Sequence, residues 1–327
     1  MTTVTRPRIV LGRYAIALGI AGLGGAWTKA QTTIHASALV GLCLLVAAFI
    51  VWLWLTVRYV VGLIRSPGAL AADLDHETTG PSVAYLPVVA ILITAHFHDQ
   101  LGSVAPWING IFAAMLAVVC ALLLTRWVSG SFAASSPHPG YFLPVVAGPF
   151  IASLGFSTAS EHGPAVAAFG VGVFFWAITG SLVFGRLMSG GPLAPGSLPS
   201  LGILLAPPAT GGVAWFAANG GHPDSVTDVL GGVLVLMLLL QLFLIPRYRR
   251  GGFSLDFWAF SFPLASTANF SVRLAFGAHF TAWQVFSWTA LTLVSLCIGA
   301  LCVGSIVLAV KDARRRTSTT ELSARQL

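Results

Sequence analysis

Six small hydroxyl residues lie close to prolines in otherwise apolar stretches: Thr94, Ser153, Thr210, Ser261, Ser266 and Thr267, near Pro87, Pro149, Pro207 and Pro263. A hydroxyl in an apolar run can donate to a passing anion or to its water, or it can bond its own helix backbone, the commoner use. A proline inside a helix removes one backbone hydrogen bond and kinks the chain. The freed carbonyls cannot face lipid, and they persist where protein or water satisfies them. Broken helices of this kind aim helix-end dipoles at a solute. The chemistry on offer is therefore the passage or binding of a small polar solute, not bond-making. No H-E-x-x-H, P-loop or G-x-S-x-G pattern is present, so an intramembrane enzyme is not expected. His96, His98 and Asp99 are close enough in sequence to hold a metal or a pH-responsive mouth. Solvated loop histidines are the commoner case, and no cofactor is expected.

These residues sit in a chain built for lipid. Of 327 residues, 56% are hydrophobic and 8% charged, against roughly 25% charged in soluble domains. A span needs roughly 20 mostly apolar residues. Ten segments fit an all-α membrane protein of one domain: 14–28, 37–64, 83–96, 105–127, 142–158, 163–188, 199–218, 226–245, 255–276 and 283–310. Short polar breaks join them, so neighbouring helices should pair as antiparallel hairpins. Cys43, Cys120, Cys297 and Cys302 fall inside apolar runs and read as packing residues.

Charge orients the chain. Arg6, Arg8 and Arg13 precede the first segment. Arg58, Arg65, Arg126, Arg186, Arg247, Arg249, Arg250, Lys311, Arg314, Arg315, Arg316 and Arg325 follow even-numbered ones. These are fifteen of the seventeen basic residues; only Lys29 and Arg273 lie toward the other side. By the positive-inside rule both termini are cytoplasmic. This explains the net charge of +7 without a nucleic-acid partner. The basic N-terminus and first apolar run also resemble a signal peptide, but removing that segment would put the new N-terminus on the wrong side. Six of the eight histidines, His35, His96, His98, His162, His222 and His279, fall on the outer side. No Asp, Glu, Lys or Arg sits mid-segment. Proton-coupled pumps place ionisable relays there, so passive conduction is the expectation.

Proline recurs with a period. Pro87 to Pro144 is 57 residues, Pro149 to Pro207 is 58 and Pro207 to Pro263 is 56, which suggests repeated helical hairpins. Proline falls inside odd-numbered segments, several of the kinks near mid-span. The odd segments should form an inner ring and the even ones a lipid-facing ring. The first has no proline but carries Gly19, Gly22, Gly24 and Gly25, which allow close approach.

Pro199 to Trp215, PSLGILLAPPATGGVAW, and Asp256 to Leu264, DFWAFSFPL, resemble the tellurite-resistance/dicarboxylate transporter family. That family includes the bacterial TehA proteins, fungal malate and sulfite transporters and plant slow anion channels. LGIAGLGGAW, Leu18 to Trp27, is similar to its first span. The resemblance covers about residues 10 to 312. It implies five hairpins around a pore in each protomer, a homotrimer in the bacterial inner membrane, and anions as the solutes. It also implies that the phenylalanine before the ninth-span proline, here Phe262, plugs the pore. An apolar plug can gate by dewetting. An alternating-access exporter of dicarboxylate, sulfite or tellurium oxyanions is the alternative within transport. An enzyme or sensor without transport is the alternative outside it.

Overall fold

The computed structural model describes residues 11–130, 137–191 and 193–324, and every regular element among them is helical. Arg6, Arg8, Arg325 and the side chains of Arg315 and Arg316 lie outside the described residues. The long helices are α1 (Tyr14–Ile34), α2 (Ala38–Arg65), α3 (Tyr85–His96), α4 (Ala105–Val128) and α5 (Gly148–Thr158). They continue with α6 (His162–Ser189), α7 (Ala206–Ala218), α8 (Ser225–Arg250), α9 (Ser261–Ala278) and α10 (Trp283–Ala324).

Seven stretches among the described residues are long and apolar enough to cross a membrane, where the sequence led us to expect ten. They are Ala38–Arg65, His98–Val128, Pro139–Thr158, His162–Ser189, Gly196–Ala218, Ser225–Arg250 and Trp283–Asp312. The difference lies in three odd-numbered helices. The third, Gly80–His96, is apolar but short. Polar residues dilute α1 (Thr28, Lys29, Gln31) and α9 (Ser261, Ser266, Thr267, Asn269, Arg273).

Odd and even helices occupy different places. The most apolar stretches of Pro139–Thr158 and Gly196–Ala218 are each 83% buried, whereas those of the even helices are between 11% and 28% buried. Large side chains such as Trp107, Phe174, Leu236, Phe243 and Leu296 face outward. An apolar surface of this kind suits hydrocarbon. The odd helices pack in a closed cycle: α1 on α3, α3 on α5, α5 on α7, α7 on α9, and α9 back on α1. Each also packs on the even helix that follows it, α1 on α2 through α9 on α10.

Pro149 and Pro207 lie near the middle of the spans Pro139–Thr158 and Gly196–Ala218, and each of the four prolines marks a change of helical pitch. Each sits in the first turn of its α-helix, directly after a stretch of different helical pitch. Pro87 follows the 3-10 segment Gly80–Ala84, Pro149 the π segment Leu143–Ala147, Pro207 the 3-10 segment Pro195–Leu205, and Pro263 the 3-10 segment Leu255–Phe260. At each junction the proline supplies no N–H to the helical ladder, which is where the pitch changes. Even α1, without proline, follows a 3-10 turn, Leu11–Arg13. The fivefold unit is thus a change of pitch followed by an α-helix, and proline fixes where the change occurs.

Several carbonyls around these breaks are not free for a solute, which corrects a second expectation. Side chains of the outer helices take them up. Trp52 Nε1 of α2 donates to Leu86 O at 3.0 Å, Cys120 Sγ of α4 to Pro144 O at 2.9 Å, and Gln241 Nε2 of α8 to Leu201 O at 2.9 Å. An unpaired carbonyl in hydrocarbon costs several kcal/mol by general estimate, so these bonds hold the broken inner helices in place.

Candidate functional site

Helix α9 builds one wall of the site. Phe262, Ser266 and Asn269 recur at spacings of four and three residues, which puts them on one face. They line a central cavity to which all five odd helices contribute. Gly22 comes from α1, Leu92 and His96 from α3, Phe150, Ile151 and Leu154 from α5, and Thr210, Val213 and Ala214 from α7. The cavity volume is about 20 Å³, room for a single water-sized body. No Asp, Glu, Lys or Arg lines it.

Phe262 is buried at 6% exposure beside Gly22. A Cβ on Gly22 would lie 2.9 Å from Phe262 Cδ2, so only glycine leaves the ring this seat. Pro263 follows at the third position of α9, and its carbonyl accepts from Thr267 Oγ1 at 2.8 Å. Leu92, Phe150, Ile151, Leu154 and Val213 make the remaining wall mainly apolar.

The predicted hydroxyls separate into three groups. Thr210 and Ser266 line the cavity, and Thr210 Oγ1 donates to Ser266 Oγ at 3.3 Å across the α7–α9 contact. Ser261 and Thr267 are taken up by backbone. Ser261 Oγ bonds Trp258 O at 2.7 Å and Ala15 O at 3.2 Å, packed where a Cβ on Gly19 would overlap it. Ser153 is fully buried and its Oγ has no partner among the described residues, but it does not line the cavity. Thr94 lines a different space, an outer groove of about 470 Å³ between α2, α3 and α4, with Phe49, Trp52 and Phe112.

Among the described residues there is no group of three or more metal-ligating side chains. His96 instead lines the cavity and packs on α1, where a Cβ on Gly25 would overlap its ring. Asn269 also lines it, and its Oδ1 accepts from Arg273 Nε at 2.9 Å. Sequence reading set His96 aside with the loop histidines and did not single out Asn269. The spacing 262, 266, 269, 273 was the signal available.

Outside the conduit, Asp224 ties α7 to α8. Its carboxylate accepts from Val226 N, Thr227 N, Trp215 Nε1 and Asn219 Nδ2, and Thr227 Oγ1 answers by accepting from Asp224 N. Slight burial pushes the Asp224 carboxyl up, but these hydrogen bonds outweigh it and hold the group below its ordinary value.

A chain with this many outward-facing apolar helices is a multi-pass membrane protein. Its sequence is 28% identical over 270 residues to a tellurite resistance protein TehA homolog of Haemophilus influenzae, covering 81% of each chain. The family model for voltage-dependent anion channels matches residues 9–307, a stretch that takes in all five cavity-lining helices. This chain belongs to the voltage-dependent anion channel family.

Proposed function

We propose that the chain conducts small inorganic or organic anions passively across the bacterial inner membrane. The observation that carries this reading is the meeting of five helices at one small cavity that Phe262 helps to wall and no acidic side chain enters. In this reading the chain crosses the bilayer ten times, as five hairpins with odd helices inside and both termini cytoplasmic. The Phe262 ring, seated on Gly22, keeps the conduit too narrow and too apolar to stay wet. Conduction begins when the ring turns aside. Pro87, Pro149, Pro207 and Pro263 fix where each inner helix starts. Thr210 and Ser266 offer hydroxyls to a dehydrated anion. The absence of an acidic relay in the cavity wall favours passive movement over proton coupling. Weak binding by hydroxyls also lets an anion leave.

The basic ends of the even helices would raise the anion concentration at the cytoplasmic mouth. A homotrimer with one conduit per copy follows from the family resemblance. The outward apolar surfaces serve both lipid and neighbouring copies.

The test is anion flux from vesicles containing the purified protein. Chloride or nitrate efflux should be low for the unmodified chain and much faster for Phe262→Ala. Two well-folded and equally silent proteins would remove the gate and move a carrier or sensor ahead. The name of the Haemophilus relative favours one second reading, an exporter of tellurium or related oxyanions. Such a carrier would saturate at modest solute concentration, whereas a pore would not.

A further inference from the structure

The face of α9 that lines the cavity does not end at Asn269. One turn on, at the same spacing, stands Arg273. By helix rise it lies about 16 Å along the axis from Phe262. Its Nε donates to Asn269 Oδ1, and no carboxylate among the described residues meets its guanidinium. That bond turns the Asn269 oxygen toward Arg273 and leaves the amide Nδ2 as a donor with no acceptor among the described residues. His96, on the facing α3, lines the same cavity, and its ring bonds no described residue. The Lys29 ammonium lies 5.7 Å from the centre of the Phe276 ring, three residues beyond Arg273 on α9.

The Arg273 guanidinium and the Asn269 amide thus turn N–H donors toward this end of the conduit. Two cations near each other, without an acid, are costly at the edge of a membrane. An intramembrane arginine that only reached outward for water would have no need to engage a cavity-lining amide. The guanidinium keeps four of its five N–H groups, arranged as a planar fork that matches two oxygens of one anion.

We propose that Arg273, Asn269 and His96 form an anion-binding site at the outer mouth of the conduit. Its ligand is a small planar oxyanion, of the nitrate or carboxylate type, held through two oxygens by the Arg273 fork and by the Asn269 amide. Lys29 adds attraction from the rim. The site recruits the anion about three turns of helix from the Phe262 ring, so filling it does not require the gate to open. This rests on the reading of the central cavity as an anion conduit.

The test is thermal unfolding of the full chain in detergent, titrated with sodium nitrate or sodium formate at constant ionic strength, with chloride as the monatomic control. The unmodified chain should show a saturable rise in Tm with nitrate or formate. Above the dissociation constant the rise should grow with the logarithm of concentration. Chloride should produce less. Arg273→Gln should abolish the rise, and Arg273→Lys, which keeps the charge without the fork, should bring nitrate down to the chloride level. Asn269→Asp supplies an internal carboxylate to Arg273, so it should raise the anion-free Tm and remove the response to added anion. That variant decides the matter if Arg273→Gln does not fold. No saturable rise in the unmodified chain, or an undiminished one in Asn269→Asp, overturns the site. If Phe262→Ala conducts while no anion raises Tm, this site alone fails. If anions raise Tm but Phe262→Ala conducts nothing, the conduit reading alone fails.

Discussion

Gly22→Ala tests whether the Phe262 ring rests where the geometry puts it. The new methyl carbon would lie 2.9 Å from Phe262 Cδ2, 3.4 Å from Phe262 Cε2 and 3.1 Å from Ala265 Cβ. Carbon atoms settle at about 3.5–4.0 Å, so the ring must retreat by roughly 0.6–1 Å. Ala265 is fixed to its helix, but the ring can turn toward the cavity of about 20 Å³ beside it. Overpacking of this kind costs about 1–3 kcal/mol. In a Phe262→Ala background two of the three close contacts vanish, and most of that cost should vanish with them. The double-mutant cycle should then give a coupling energy within the range of about 0.5–3 kcal/mol found for touching residues, read by unfolding in detergent. Because the methyl pushes the ring away from α1 and toward the axis, Gly22→Ala alone should not increase vesicle leak. Equal destabilisation in both backgrounds would mean the ring does not lie on Gly22. A leak as large as that of Phe262→Ala would mean the ring blocks from the other side.

Thr210→Val with Ser266→Ala, placed in the Phe262→Ala background, should lower anion flux while changing stability by no more than about 1–2 kcal/mol, since one long hydrogen bond is lost. Ser261→Ala should do the reverse: it should lose about 1 kcal/mol and leave flux unchanged, because its hydroxyl serves the α1–α9 contact. Asp224→Ala should cost about 0.5–2 kcal/mol for the lost helix cap, seen as a lower Tm in detergent. Acid should act like that substitution. The folded-state pKa of Asp224 is depressed, so its contribution is complete above its ordinary carboxyl value and fades as pH falls through the lower, folded one. Tm should therefore drop with acid more in the unmodified chain than in Asp224→Ala, and parallel pH profiles would deny the cap its role.

The sequence carried the architecture where one residue type has one geometric consequence. Proline has a fixed φ and no N–H, so its period exposed the repeat before any contact was known. What it did not reveal is that the pitch changes just before each proline, because a 3-10 or π segment such as Leu143–Ala147 has no composition of its own. Seven stretches among the described residues, not the ten expected, are long and apolar enough to cross a membrane. Inner helices like α9 bury Ser266, Thr267 and Asn269 against protein, and such helices need not be uniformly apolar. The hydroxyls could not be sorted from sequence, since Ser266 facing the cavity and Thr267 facing its own backbone differ by one step of rotation. Phe262 was legible only through the motif around it, as one of twenty-one phenylalanines. His96 and Arg273 looked like residues at segment ends, and only the cavity that His96 shares with Asn269, the partner of Arg273, relates them.

The central claim is that the inner helices enclose an anion pathway closed by the Phe262 ring. Currents from purified Phe262→Ala protein in planar bilayers under a potassium chloride gradient test it most directly. The account predicts unitary current steps that reverse near the chloride equilibrium potential, with the unmodified chain nearly silent in the same membrane. Reversal near the potassium equilibrium potential, or a well-folded Phe262→Ala protein as silent as its parent, would contradict it.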